Sequence, residues 1–209
     1  MENEKALFLV DEYLNGPYLL DPFFEAATSG KASGFSSMTD LAPDHFYQSE
    51  FYRYHYERTG IADEIGIFFP VQRDRTAVIS VTRQKPNGVF SAEEKHIFSS
   101  TAPIISTLCK LHWGDTLKQD HAVAISRTIT QVFDGFGQET LTQREKEIIA
   151  LVLKGHSSLS IGLNLDITAG TVKIHRKNAY RKLNLSSQAE LFALFLRSLE
   201  DRLRASELQ

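Results

Sequence analysis

The feature that most constrains this chain lies between residues 141 and 199. Helix starts and stops follow each other so closely there that only short helices joined by tight turns fit. Thr142, with Glu145 three positions later, forms a capping box. Leu141, Ile148, Ile149, Leu151 and Val152 supply one apolar face, and Gly155 stands where a left-handed residue ends the helix. A second helix fits Ser157 to Leu163, with Leu159, Ile161 and Leu163 as its apolar positions. Asn164-Leu-Asp-Ile is a tight connection. Thr168 then caps a third helix over Ala169 to Leu183, and Ser186 or Ser187 caps a fourth from Gln188 to Leu199. Two short helices, a brief turn and a longer helix make the layout of a helix-turn-helix.

The third helix is basic. It carries Lys173, Arg176, Lys177, Arg181 and Lys182, with no acid, in a chain whose net charge is −3. Between Leu141 and Leu199 there are nine Lys/Arg and four Asp/Glu, a balance of +5, so the remainder of the chain carries −3 − 5 = −8. Charge divided in this way points to a polyanionic partner for the basic part.

Helical spacing sorts these residues into faces. Val172, Ala179, Tyr180 and Leu183 share one face, suited to packing on the two preceding helices. Lys173, Lys177 and Arg181 recur every four residues along an adjoining face, flanked by Ile174 and Arg176. A cationic stripe neutralises phosphates, and the major groove, about 12 Å wide, accepts a helix. Lys173, Ile174 and Lys177 are the candidates for base edges: lysine donates to guanine O6 or N7, and isoleucine meets the thymine methyl. Thr168, Thr171, His175, Arg176 and Arg181 are the candidates for phosphates, helped by the N–H groups at the helix start.

The run LTQREKEIIALVLKGHSSLSIGLNLDITAGTVKIHRKNAYRKLNLSSQAELFALF resembles the LuxR-type helix-turn-helix domain without a gap. Leu141, Thr142, Arg144, Glu145, Glu147, Leu151, Gly155, Ile161, Leu165, Ile167, Thr171-Val172-Lys173, His175, Lys182-Leu183 and Leu185 carry the match. The resemblance implies an all-α, four-helix DNA-binding domain of bacterial transcription regulators, placed here at 139–200. It implies a third helix in the major groove of double-stranded DNA and a fourth helix that pairs two copies into a homodimer. Leu191, Phe192 and Phe195 are the dimerisation candidates on that helix. One departure stands out. The family usually has Lys-Glu-Ile-Ala where this chain has Leu159-Ser160-Ile161-Gly162, so one backbone-phosphate contact is expected to be missing.

The preceding residues read as α+β. Phe8 to Glu25 suggests two short helices around turns at Gly16-Pro17 and Asp21-Pro22, and Thr28 to Gly34 a loop. DHFYQSEFYRYHYER, residues 44 to 58, suggests one helix with an aromatic, core-facing stripe. EIGIFFP and TAVISVTR, joined by VQRDR, suggest a β-hairpin. Ser91 and Glu94 form a second capping box, opening a helix that runs to Trp113 with a bend near Pro103. This order is similar to the GAF-like sensor domains of some LuxR-type regulators. It places a regulatory domain at 1–113 and a linker at 114–138, and it implies control by a small molecule or protein of unknown identity. A first helix and two strands of that fold are missing before Leu7, so the domain is either minimal or truncated. Tyr13, Tyr18, Asp21 and Pro22 share a pattern with acyl-homoserine-lactone domains, but Asp21-Pro22 reads better as a helix-breaking turn. The acidic pair, aspartate and lysine of a phosphoacceptor receiver have no counterpart.

Other classes find little support. The single cysteine, Cys109, excludes an internal disulfide, fits a reducing compartment and reads as a small buried hydrophobe. No CxxC, HExxH or phosphate-binding glycine loop occurs, so no catalytic residue, cofactor or metal is expected. No apolar run reaches about 18 residues and no secretory leader is visible, so a cytoplasmic protein without a membrane partner is expected. The sequence leaves one alternative open: a protein-interaction regulator whose helix-turn-helix is masked or has lost its affinity for DNA.

Overall fold

The computed structural model describes residues 13–14, 16–30, 32–72, 75–113, 133 and 135–207. The part of the first expected helix before Tyr13, and most of the expected linker, lie outside these residues. In chain order the helices are α1 (Pro22–Thr28), α2 (Met38–Leu41), α3 (Glu50–Tyr52), α4 (Ala92–Trp113), α5 (Gln143–Leu153), α6 (Ser158–Leu165), α7 (Ala169–Lys182) and α8 (Gln188–Glu207). The strands are β1 (Gly34–Ser37), β2 (Ile61–Gln72) and β3 (Arg75–Gln84). Two compact units result: a sheet unit of Asp21–Ala42 with Tyr56–Ser126, and a helical unit of Met1–Leu20, Pro43–His55 and Arg127–Gln209. The division is not a plain split at 114–138, because Pro43–His55 belongs to the helical unit.

In the sheet unit, Asp21 does more than break a turn. Its carboxylate accepts the Phe23 N–H at 2.8 Å and starts α1, with Pro22 in the first position. The hairpin forms with Gly66 opposite Ser80 and Phe68 opposite Val78, and its strands run on into the segment expected as a polar connection. β1 completes an antiparallel sheet in the order β1-β2-β3. Its four residues, GFSS, lack the β-branched pattern of a strand. They become one by pairing with the remaining edge of β2, a tertiary effect. The Ser91–Glu94 capping box forms as expected, and α4 lays Ala102, Ser106 and Cys109 into the core.

The same core buries Asp21, Asp63 and Glu64. Tyr56 donates its phenol hydrogen to Glu64 Oε2 at 2.7 Å. Burial, then the nearby charge of Asp21, pushes the Glu64 carboxyl up to about 7, against the opposing pull of that hydrogen bond.

The helical unit follows the expected caps. Thr142 N–H donates to Glu145 Oε2 at 2.9 Å and Glu145 N–H to Thr142 Oγ1 at 3.3 Å. Gly155, at φ +91°, ends α5 in a Schellman turn: the His156 N–H reaches the Leu151 carbonyl at 3.0 Å and the Gly155 N–H the Val152 carbonyl at 3.1 Å. Asn184, at φ 55°, ends α7 in the same way. Two long-range bonds lock the helices together. Lys182 Nζ donates to buried Glu145 Oε2 at 2.7 Å, and Arg144 donates to the Leu165 carbonyl at 2.6 Å and to Glu147 Oε2 at 2.9 Å.

The aromatic segment is not one helix. Residues 46–48 form a 3-10 turn, and Ser49 breaks the path at ψ 155° and caps Tyr52 N–H at 3.1 Å. α3 follows, then a π turn over Arg53–Glu57. The serine offers the backbone a local acceptor, which favours a restart over continuation. Phe46, Phe51 and Tyr56 do face cores, at 0%, 1% and 2% exposure.

Two measurements test these contacts. Glu64 binds its proton more tightly folded than unfolded, so its stabilising contribution is complete below about 4.5 and is lost as pH rises through about 7. Glu64→Gln should flatten that decline, raising stability at pH 8 by on the order of 1–3 kcal/mol, with unfolding followed by Trp113 fluorescence. Lys182→Ala strips a buried carboxylate of its counter-ion. It should destabilise the helical unit by about 1–3 kcal/mol in urea followed by circular dichroism, whereas Lys173→Ala should change it by less than about 0.5 kcal/mol.

Candidate nucleic-acid interface

α7 begins where Thr168 Oγ1 accepts the Thr171 N–H at 3.0 Å, the two hydroxyls also lying 2.8 Å apart. Val172 and Ala179 are fully buried, which fixes the rotation of the helix. Tyr180 and Leu183 are half-buried on the same side. That rotation leaves Lys173, Ile174, Lys177 and Arg181 exposed together, with His175 and Arg176 half-buried beside them. Thr168 is exposed and Thr171 half-buried at the helix start. The stripe expected from spacing is thus assembled on one surface. Ile174 is 63% exposed, an apolar side chain with no packing role in the protomer. Lys182 does not join the stripe, because its ammonium is held by Glu145.

Arg176 lies half over the Tyr180 ring, its guanidinium carbon 5.3 Å from the ring centre. The stacking restrains the guanidinium at the edge of the stripe.

α6 differs from expectation. Ile161 is fully buried, but Leu159 and Leu163 are 65% and 79% exposed and do not pack inward. Two positions along a helix turn a side chain by about 200°, so the rotation that buries Ile161 points Leu159 and Leu163 away from the inward row. Gly162 belongs to that row. A Cβ there would lie 2.6 Å from the Ile167 carbonyl oxygen, so the glycine lets the turn close against α6. This proximity explains a residue that otherwise costs a helix up to about 1 kcal/mol.

The dimerisation candidates are also placed differently. Leu191, Phe192 and Phe195 are 0%, 7% and 0% exposed. Phe195 packs against Phe133 and Phe136, with ring centres 5.1 and 5.5 Å away, and Phe192 against Tyr54 at 5.6 Å. The apolar excess on α8 is satisfied inside the protomer, so these three side chains present no free pairing surface in this arrangement.

One contact at the interface has no counterpart in the sequence reading. The Ser157 N–H, at the start of α6, donates to Asp44 Oδ1 at 2.9 Å. Ser157 itself caps Ser160 N–H at 3.1 Å, and His156 Nδ1 lies 2.8 Å from Ser160 Oγ. The partners Asp44 and Ser157 are 113 positions apart, beyond the reach of local patterns. Among the described residues no group of His, Cys, Asp and Glu is placed to hold a metal, and no helix is long and apolar enough to cross a membrane.

Residues 139–195 match the family described as bacterial regulatory proteins, luxR family. The chain is 30% identical over 187 residues to an HTH-type transcriptional regulator in the exeN 3′ region of Aeromonas salmonicida, covering 86% of this chain and 94% of that one. It is 27% identical over 181 residues to the monoamine regulon transcriptional regulator of Klebsiella aerogenes, covering 86% and 69% of the two chains. With the response regulator protein TodT of Pseudomonas putida it shares 42% identity over 53 residues, covering 25% of this chain and 23% of that one. A near full-length likeness to one such regulator, joined to a helix-turn-helix that exposes its own basic stripe, places this chain in the luxR family of bacterial regulatory proteins, as a DNA-binding transcription regulator and not an enzyme.

Proposed function

We propose that α7 reads the major groove of a promoter or operator, with Lys173, Ile174 and Lys177 at base edges and Thr168, Thr171, His175, Arg176 and Arg181 at phosphates. The observation that carries this reading is the joint exposure of Lys173, Ile174 and Lys177 on the face opposite buried Val172 and Ala179. An isoleucine left 63% exposed amid cations is costly in water and useful against a thymine methyl. The replacement of the family's lysine by Leu159 leaves α6 with one phosphate contact fewer, so α7 and the helix N-termini carry more of the electrostatic affinity.

The active form on this reading is a cytoplasmic homodimer on a pseudo-palindromic site. The sheet unit, three antiparallel strands with a long final helix, serves as a GAF-like sensor for a small molecule or protein. Because Leu191, Phe192 and Phe195 are covered, pairing through α8 requires their release, which gives the sensor something to control.

Fluorescence anisotropy with promoter fragments at several salt concentrations tests the docking. Lys173→Ala and Lys177→Ala should each reduce discrimination between operator and unrelated duplex by about 1–3 kcal/mol. Arg181→Ala should weaken all sequences alike and lower the salt slope by about one. Operator binding left unchanged by Lys173→Ala would rule out this orientation of α7.

A further inference from the structure

The segment Pro43–His55 lies on the helical unit, against the start of α6. The first helix of this motif crosses the backbone, and a helix N-terminus attracts a phosphate through its unpaired N–H groups and its positive end. In this chain that helix is α6, and its start is already occupied. Asp44 Oδ1 accepts the Ser157 N–H at 2.9 Å, and the His45 N–H donates to the Gly155 carbonyl at 3.0 Å. The approach is close: a Cβ on Gly155 would lie 2.9 Å from Phe46 Cα. Farther along, His45, Glu50 and Arg53 face His156, Ser158 and Arg176 across a shared cleft. At its far end the segment sets the Tyr54 ring 5.6 Å from Phe192 on α8.

We propose that Pro43–His55 is an autoinhibitory clasp, in which the Asp44 carboxylate stands at the start of α6 in the position of a DNA backbone phosphate, so that duplex DNA and the clasp compete for one surface. This inference rests on the DNA-reading role of α7. The chemistry of the two occupants is alike: each offers an anionic oxygen to the same backbone donor. The carboxylate is charged at neutral pH. Burial pushes it up, but the Ser157 hydrogen bonds, with the nearby His45 and His156, together outweigh that and hold it below the usual range. The bond is at the surface, where a charged contact is weak and exchangeable. The clasp therefore lowers affinity without abolishing it. Both of its ends continue along the chain into the sheet unit, through Ala42 and Tyr56, so a change in that unit reaches the clasp through the backbone.

The full chain is tested as wild type, Asp44→Ala and Asp44→Asn, by anisotropy with a generic duplex at low salt, alongside amide exchange at His45 with and without DNA. Asp44→Ala should bind about 3- to 10-fold tighter than wild type, the factor typical of losing one capping interaction. Asp44→Asn keeps an acceptor oxygen but not the charge, and it should also bind tighter, while lowering the melting temperature less than Asp44→Ala does. The His45 amide, protected in the free protein, should exchange faster in the wild-type complex. Equal affinity of all three proteins, or a His45 amide equally protected in the complex, would overturn the clasp while leaving the DNA-reading role intact. Failure of all three to bind any duplex would overturn both.

Discussion

The interface on α7 depends on one buried carboxylate. Glu145 closes the capping box of α5 through Thr142 and, from the same oxygen, accepts the Lys182 ammonium near the end of α7. A charge with about 5% side-chain exposure is tolerated only where its hydrogen bonds are met, so the bond pins α7 to α5 in one rotation. Val172 and Ala179 fill the space beneath, and Arg144 ties the turn before α7 to the same helix. With the rotation set, Lys173, Ile174 and Lys177 can only face outward. Of the five cations in the basic run, one is thus a structural counter-ion, and the others are available to a polyanion.

The two units balance opposite electrostatic demands. The helical unit gathers cations on a surface, where water solvates them until a duplex arrives. The sheet unit places Asp21, Asp63 and Glu64 inside its core, where burial, then the charge of Asp21, pushes the Glu64 carboxyl up to about 7. Pro43–His55, which interrupts the sheet unit in sequence and belongs to the helical unit, brings an acid to the start of α6 and an aromatic ring to α8. The start of α6 and part of α8 are therefore met by groups that the chain itself supplies, while the stripe on α7 stays exposed.

Much of the helical unit was legible because its signals are local. A capping box spans three residues, a Schellman turn needs one left-handed position, and a helical stripe repeats every three or four; Thr142–Glu145, Gly155 and Lys173–Lys177 each met these rules. The departures share a different cause. Leu159 and Leu163 are apolar positions of α6, yet each stands two residues from buried Ile161 and so on the opposite side of the helix. Leu191, Phe192 and Phe195 looked like a dimer face because they exceed what a four-helix domain needs, and the aromatic rings that pack on Phe192 and Phe195 come from residues 54, 133 and 136. Ser49 interrupted the aromatic helix because its hydroxyl capped the next turn.

By itself the sequence determined the helix-turn-helix, its caps and turns, and the presence of a cationic stripe, because each rests on contacts within a few residues or on family spacing. The tertiary structure decided which cation is structural, which leucines face water, that β1 is a strand, and what stands at the start of α6. Those outcomes depend on partners far apart in the chain, such as Lys182 with Glu145 and Asp44 with Ser157. Their pairing energy exists only once packing has excluded the water that would otherwise satisfy each group alone.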